Sequence, residues 1–424
     1  MSPNLETICP VPLYQPLADT LVLRTPAATG DLDRVAAFNG SIHGPGLAGV
    51  TQSLVTSFPG MGPDDLVYVE DSTTGEVVSS LCLIPWQLAY GAATLRVGEM
   101  GIVGTDERYR NRGLVRAQMP YFHRRLADHA CTISLIQGIP FYYRQFGYTY
   151  ALALEGGVRV DKPSLPPLPP QTYAFRLATL DDLPLLAGFY DHACQDLAIY
   201  ARRSEETWRY MLGPQMQTEL RAEWWLVEED SRPLGYLRLP NSHFGDELAV
   251  YEVSQLPYDA AVAALHKLQS WAEERGLPGV RLNLAESALL MQLARTLGGH
   301  DLGRYAWQVA IPDLGAFLAA IVPELERRLA AAPQLAPWHG DLGISLYRSA
   351  ATLHVAGGRI TVSPGAADPA ALRCPPDAFT PLALGWRTLD ELLRFFPDAQ
   401  VEGRFRPLLE VLFPQTPGYL YAAT

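Results

Sequence analysis

Gly101-Ile102-Val103-Gly104, then Arg108-Tyr109-Arg110-Asn111-Arg112-Gly113-Leu114-Val115, then Tyr142-Tyr143-Arg144-Gln145-Phe146-Gly147-Tyr148 are the three runs that decide how this chain folds. The first reads as an apolar strand, and the second as a basic turn that leads into a helix. The third follows another apolar strand. A strand, an Arg-x-x-Gly turn and a helix in that order expose several unpaired backbone amides at the positive end of a helix dipole. Such an end binds phosphate, and a glycine at position 113 lets the ligand approach the backbone. There is neither the Gly-Lys-Ser/Thr of a P-loop nor the Gly-x-Gly-x-x-Gly of a dinucleotide site. On this physics alone, a basic and exposed helix start is an equally good reading.

Working outward, 424 residues are too many for one ordinary core, and two or three domains are expected. The composition, 48% hydrophobic and 18% charged, is that of a globular chain, and the formal net charge is −12. That sign excludes a general nucleic-acid or anionic-membrane surface, which needs a dominant positive field. Arginines are nevertheless dense from Arg108 to Arg125, which points to a small anionic ligand. Cys9, Cys82, Cys131, Cys194 and Cys374 show no metal-ligand or redox spacing. A reduced, cytoplasmic setting without a metal is expected. Neither a signal peptide nor a membrane span is expected, since no run approaches about 18 apolar residues.

Upstream, Leu21 to Arg24 reads as a strand and Asp31 to Phe38 as an amphipathic helix. Leu66 to Val69 and Val77 to Leu83 form a hairpin, and Leu95 to Thr105 is a further strand. Downstream, Lys162 to Pro170 carries five prolines and reads as a stiff interdomain linker. The pattern then starts again: Phe175 to Leu186 echoes the first strand and helix. Trp224 to Leu237 echoes the hairpin, with the tryptophan pair read as sheet packing. Leu248 to Val253 echoes the cofactor strand, Ala260 to Arg275 is a helix, and Leu293 to Gly299 lines up with the Tyr142 to Tyr148 run. This is an internal duplication with a period near 150 residues, too long for a solenoid. Copy two has Gln255-Leu256-Pro257-Tyr258-Asp259 in place of the Arg-x-x-Gly turn and Ala294 in place of Tyr143. It is read as keeping the fold and having lost the ligand. A third section opens at Asp313, an N-cap for a helix through Phe317, Ile321, Leu325 and Leu329. It continues through a Gly357-Gly358 hairpin and a helix capped by Thr388 and Glu391.

Arg110 to Val115 resembles the pyrophosphate loop of the GNAT superfamily of N-acetyltransferases, and Tyr143 to Tyr148 resembles its tyrosine-x-x-x-Gly-aromatic segment. Val115 departs from the small residue that usually ends the loop. Together with Leu382-Ala383-Leu384-Gly385-Trp386-Arg387-Thr388-Leu389 and Leu412-Phe413-Pro414, the layout resembles the Eis (enhanced intracellular survival) family. That resemblance implies an α+β fold of tandem GNAT domains with mixed, mostly antiparallel sheets. A catalytic one spans 1–160, a degenerate one 161–310, and a sterol-carrier-protein-like domain 311–424. It also implies acetyl-CoA as co-substrate and no metal. The acceptor is a primary amine, polyamine-like or aminoglycoside, and the assembly a homohexamer. The other reading is a non-catalytic protein that binds acetyl-CoA, with the third domain holding a lipid or a partner.

The resemblance assigns roles residue by residue. Backbone groups of Ile102, Val103 and Gly104 pair with the pantetheine arm and polarise the thioester, as an oxyanion hole does. Amides of Arg110, Asn111, Arg112, Gly113, Leu114 and Val115 hold the pyrophosphate. Gly138 and Ile139 line the other side of the arm, and Tyr143 protonates the departing thiolate. The base that frees the amine is the carboxylate of Thr424, on a tail unlike the family's aromatic one, or Glu99, whose plainer reading is a solvated carboxylate, or water. Arg116, Arg124 and Arg125 either extend the phosphate site or form a solvated face. His123 and His129, six apart on one helix, are read as surface residues.

Overall fold

The structure is a computed structural model, and it describes residues 12–241 and 246–422, the side chain of Glu155 apart. It contains two compact units, Met1–Pro85 with Glu99–His129, and Trp86–Gly98 with Ala130–Thr424.

In the first unit β1 (Tyr14–Pro16) and β2 (Leu21–Arg24) precede α1 (Thr29–His43) and α2 (Gly46–Ser57). Then come β3 (Leu66–Asp71), the first part of β4 (Glu76–Tyr90), the second part of β5 (Ala93–Thr105) and α3 (Leu114–Asp128). The strands lie in the order β1-β2-β3-β4-β5, and the pairings from β1 to β4 are antiparallel. Both faces of these strands are covered: Leu21, Val22 and Leu23 of β2 and every residue of β3 are buried. Val115, Met119, Phe122 and Leu126 recur at helical spacing and form the buried face of α3. Phe122 is fully enclosed, so Phe122→Ala should cost about 3–5 kcal/mol.

The second unit takes the other ends of β4 and β5, then β6 (Ile133–Ile136), β7 (Thr149–Glu155) and β8 (Val158–Val160). It continues with β9 (Ala174–Leu177), α4 (Leu183–Ala193), β10 (Ile199–Arg202), α5 (Glu205–Leu212), β11 (Ala222–Glu229) and β12 (Arg232–Pro240). After these come β13 (Leu248–Val250), β14 (Glu252–Val253), α6 (Tyr258–Glu274), β15 (Val280–Leu282), α7 (Leu289–Thr296), β16 (His300–Asp301) and β17 (Tyr305–Ala310). Two strands pair far from their neighbours in sequence. β17 enters between β6 and β7, antiparallel to both, whereas β8 joins β15 and β16. Trp307 at the centre of β17 is wholly buried. Nothing in the sequence pattern marks this exchange, because a buried apolar strand reads alike whichever sheet receives it. β14, β12, β11 and β9 form a second sheet, and β13, β15, β8 and β16 a third.

The proline-rich run is not a free spacer. His266 Nε2 lies 2.7 Å from the Pro166 carbonyl, and Lys162 is 2.7 Å from Glu273, so the run is tied to α6. Trp224 is buried and Trp225 stacks on Trp271 at 4.4 Å, as sheet packing requires.

The last part holds α8 (Leu314–Ala330), β18 (Gly340–Ser345), β19 (Ala350–Ala356), β20 (Arg359–Pro364), β21 (Leu372–Arg373), α9 (Pro376–Ala383), α10 (Leu389–Phe395), β22 (Gln400–Val401) and α11 (Arg406–Leu412). The caps fall where the sequence puts them: Asp313 accepts from the Ala316 amide at 2.9 Å, and Thr388 and Glu391 form a capping box. Gly357 and Gly358 both take positive φ in the hairpin turn, 59° and 75°. Glu324 on α8 is enclosed and accepts from the Ala92 amide at 2.9 Å and from Arg327 and Arg328 at 2.7 Å. Those bonds outweigh its desolvation and hold its carboxyl down at about 2.

Candidate active site

In the first unit, the end of β5 breaks its regular strand at Ile102, which has φ 47°, a conformation that branched residues avoid. Three side chains hold this end in place. Ser79 on β4 donates to the Gly104 carbonyl at 2.9 Å and bonds Thr105 Oγ1 at 2.9 Å. Gln118, buried on α3, donates to Ser79 Oγ at 2.8 Å, lashing the helix to the strand. The ring of His43, the last residue of α1, hydrogen-bonds the backbone of Val103, and surrounding protein mass pushes its imidazole below the ordinary value. None of the three had a sequence signal, since each is a lone polar residue joined to the strand only by tertiary packing.

The turn that follows starts with Asp106, whose carboxylate accepts from the Arg108 amide at 2.8 Å. Asn111 and Gly113 are left-handed, φ 63° and 74°. The first helical bond of α3 runs from the Ala117 amide to the Gly113 carbonyl at 2.9 Å. Among the described residues, no backbone carbonyl accepts from the amides of Asn111 to Val115. Gly113 caps the helix without a side chain. These amides therefore stand open at the start of a helix, an arrangement with which an anion can pair.

The arginine side chains differ from the free basic patch expected. Arg108 pairs with Asp106 at 2.9 Å, Arg110 with Glu107 at 3.0 Å and Arg112 with Asp19 at 2.7 Å. Such exposed pairs are worth about 0–1 kcal/mol each, little enough for an incoming anion to displace the acid. Arg125 binds Asp65 at 2.9 Å and Asp128 at 2.8 Å, which makes it a structural anchor and not a phosphate ligand. His129 shares Asp65 at 2.7 Å and is correspondingly half-buried; it is no surface residue. His123 is exposed. Glu99 departs from the solvated reading too: it is only 5% exposed, and its charge helps raise the thiol of buried Cys82.

In the second unit, β6 runs out into Gly138 and Ile139, and Phe141 takes φ 62° before a 3-10 helix, Tyr142–Phe146. Tyr143 is 6% exposed, its ring edge-on to Tyr142 at 5.0 Å and to Tyr148 at 6.2 Å. A Cβ on Gly138 would stand 2.1 Å from the Tyr143 ring, so only glycine lets the two meet. The Gly138 carbonyl accepts from the Tyr305 hydroxyl and from Gln308 Nε2, the latter at 2.9 Å. The inserted strand β17 thus fixes the loop that bears Tyr143, a contribution invisible in the sequence. Desolvation, then neighbouring Tyr142 and Tyr305, push the Tyr143 phenol well above its ordinary value. It is a neutral donor at any working pH. Thr424 lies outside the described residues.

A cavity of about 730 Å³ lies within this second unit, bordered by Pro140, Tyr150, Tyr305, Trp386 and the stretch from Gln415 to Tyr419. That size and aromatic lining suit a small molecule. Among the described residues there is no group of three or more His, Cys, Asp or Glu able to hold a metal, and no helix long and apolar enough to cross a membrane.

Residues 53–151 match the acetyltransferase (GNAT) domain. No curated protein matches the chain. Its fold is similar to a probable N-acyltransferase from Enterococcus faecalis V583, with TM-score 0.71 and 14% identity over 95% of this chain and 99% of that one. A GCN5-related N-acetyltransferase from Anabaena variabilis gives 0.67 and 14% over the same shares. Eis1 from Mycobacterium abscessus gives 0.61 and 15% over 94% and 99%. The β5 break, the left-handed Gly113 turn, α3 and the Tyr143 helix all fall inside the matched segment, and residues 53–151 are a GNAT acetyltransferase domain within a mixed α+β chain.

Proposed function

We propose that the chain transfers the acetyl group of acetyl-CoA to a primary amine, polyamine-like or aminoglycoside in character. The observation that carries this is the run of backbone amides from Asn111 to Val115 without carbonyl partners, directly after a strand broken at Ile102, inside the GNAT segment. Amides in that state fit a pyrophosphate, because the donors are not engaged by secondary structure and the left-handed Asn111 and Gly113 fix the turn that carries them.

Ile102, Val103 and Gly104 bind the pantetheine arm and polarise the thioester carbonyl, while Arg110 to Val115 hold the pyrophosphate. Gly138 and Ile139 line the arm. The neutral amine attacks the thioester carbon, carbon–sulfur cleavage expels the thiolate, and Tyr143 supplies its proton. The amine's own proton leaves to a base. Thr424, through its carboxylate, and Glu99 are the two candidates within the chain; Glu99→Gln and removal of Thr424 separate them. Supporting the layout 1–160, 161–310 and 311–424, the order strand, helices, hairpin, broken strand, helix, strand recurs from β9 to β15 with β10 added between the two helices. The β18 to β22 sheet forms its own layer after α8. We read the second as a degenerate GNAT domain and the third as sterol-carrier-like, and the resemblance to the Eis family supports a homohexamer.

The test is thiol release from acetyl-CoA across a panel of amines. Release that depends on the amine and is lost in Gly113→Asp supports the reading. Binding of acetyl-CoA without thiol release from any amine would instead mark a non-catalytic acetyl-CoA-binding protein.

A further inference from the structure

Two places carry the cofactor chemistry in the first GNAT module, the end of β5 and the residues just after β6. By element order their counterparts are the end of β14 and the residues just after β15. Both counterparts are filled from within the chain. At β14, Glu252 is 0% exposed and is held by Arg203 at 2.8 Å, by the Tyr236 hydroxyl, and by Arg238 at 3.6 Å. After β15, the Asn283 carbonyl accepts from the Tyr419 hydroxyl at 2.9 Å, and the Ala285 amide donates to the Tyr421 hydroxyl at 3.3 Å.

The segment that delivers those tyrosines is clamped along its length. The Ala198 amide donates to the Pro417 carbonyl at 2.8 Å, and the Tyr419 amide donates to the Ile199 carbonyl at 3.0 Å. Arg203 Nη2 donates to the Tyr421 carbonyl at 2.8 Å and Arg238 Nη1 to the Ala422 carbonyl at 2.9 Å. Charge explains the choice of partners. Two buried guanidiniums face one buried carboxylate, and the surplus donors must find acceptors or bear a large desolvation cost. Backbone carbonyls at 421 and 422 supply them. Arg203 Nε and Arg238 Nε still have no partner among the described residues, so donors are in excess.

We propose that the cleft of the second module, in the place where the first takes pantetheine, is an intramolecular receptor for Pro417–Ala422, with Arg203 and Arg238 as positioning residues for acetyl transfer. The link to transfer runs through the cavity wall. Pro417 to Tyr419 border the same cavity as Tyr305, whose hydroxyl bonds the carbonyl of Gly138, the residue whose missing side chain leaves room for the Tyr143 ring. The positioning role rests on the acetyltransferase reading above; the receptor does not.

The experiment is to end the chain at Thr416 and supply a fluorescent peptide of residues 417–424. The expected result is saturable binding, weakened at least tenfold when Arg238→Gln is added. Amine-dependent thiol release should fall at least 100-fold on truncation, with acetyl-CoA affinity within twofold, and return in part with peptide. A truncated chain that melts cooperatively yet binds no peptide overturns the receptor. Peptide binding with full transfer by the truncated chain overturns the positioning role alone. If the intact chain releases no thiol with any amine, the acetyltransferase reading fails while peptide binding still decides the receptor. Should the truncated chain not fold, hydrogen exchange of full-length Arg238→Gln replaces it. Exchange across 417–422 at least tenfold faster than in the parent, with β11 and β12 unchanged, supports the receptor, and unchanged protection overturns it.

Discussion

The end of β5 and the end of β14 are the two places that the proposed duplication sets side by side, and their surroundings are opposite in kind. At β5 the strand breaks at Ile102, side chains from Ser79 and His43 hold the backbone, and the following turn leaves its amides open. At β14 a buried carboxylate takes the position, two arginines close on it, and α6 begins from Pro257 without the Arg-x-x-Gly turn. The difference teaches what a closed strand end needs: at β14 buried groups of opposite charge satisfy one another, whereas at β5 the backbone donors of the following turn are left open.

Tyr143→Phe is the substitution that should separate the two regions most widely. Removing the proton donor and keeping the ring should lower amine-dependent turnover about 100- to 10,000-fold. Acetyl-CoA affinity should stay within about twofold, since the amides proposed to hold it are those of Arg110 to Val115. The steady-state split between kcat and acetyl-CoA binding reads this directly. Turnover unchanged in the variant would remove Tyr143 from the chemistry.

Glu252→Gln comes next, and it acts on the other side of the comparison. Arg203 keeps a hydrogen-bond acceptor but loses its counter-charge in a fully buried site, which should cost about 3–5 kcal/mol in urea unfolding. Acetyl-CoA affinity should not move. A loss of affinity as large as the loss of stability would mean that the two regions are not the separate sites this comparison makes them.

How much of this was legible differs sharply between the two regions. The turn at Arg110 to Val115 and the Tyr143 helix were readable because their chemistry is local: a left-handed glycine, a helix start and a tyrosine followed by Gly147, all within a few residues. The capping boxes and the Gly357-Gly358 hairpin were readable for the same reason. The pairs of Arg112 with Asp19 and of Arg108 with Glu76 were not, because those acids reach the turn only through folding. Nor were β17's insertion beside β6 or the seat of Tyr419 and Tyr421. Period-2 and period-3.6 patterns state which face is buried, not which partner buries it.

Gly113→Ala tests the turn with a smaller effect. No atom lies within 4 Å of the added Cβ, so the penalty comes from the φ of 74° alone. A left-handed alanine costs roughly 1–2 kcal/mol, and relaxation of the turn should weaken acetyl-CoA binding about tenfold, equivalent to about 1.4 kcal/mol. Pro257→Ala, at the matching place before α6, should leave acetyl-CoA affinity unchanged. Equal effects from both would show that the second module binds the co-substrate after all.

The smallest effect concerns His43, and it turns on sign. Burial is the largest influence on its ring and favours the neutral form, with the bond to the Val103 backbone opposing it more weakly. A group whose folded pKa lies below its unfolded value, about 6.5 for histidine, contributes stability that is complete above that unfolded value. The contribution is lost as pH falls through the lower folded one. The parent chain should therefore lose more stability than His43→Gln between pH 7.5 and pH 5, and their urea midpoints should converge in acid. Midpoints that keep a constant separation, or diverge in acid, would mean that the ring is as easily protonated folded as unfolded. The neutral clamp on the end of β5 would then be absent. No corresponding convergence is expected at β14, where desolvation is opposed by Arg203 and the net effect lowers the carboxyl of Glu252 below its ordinary value.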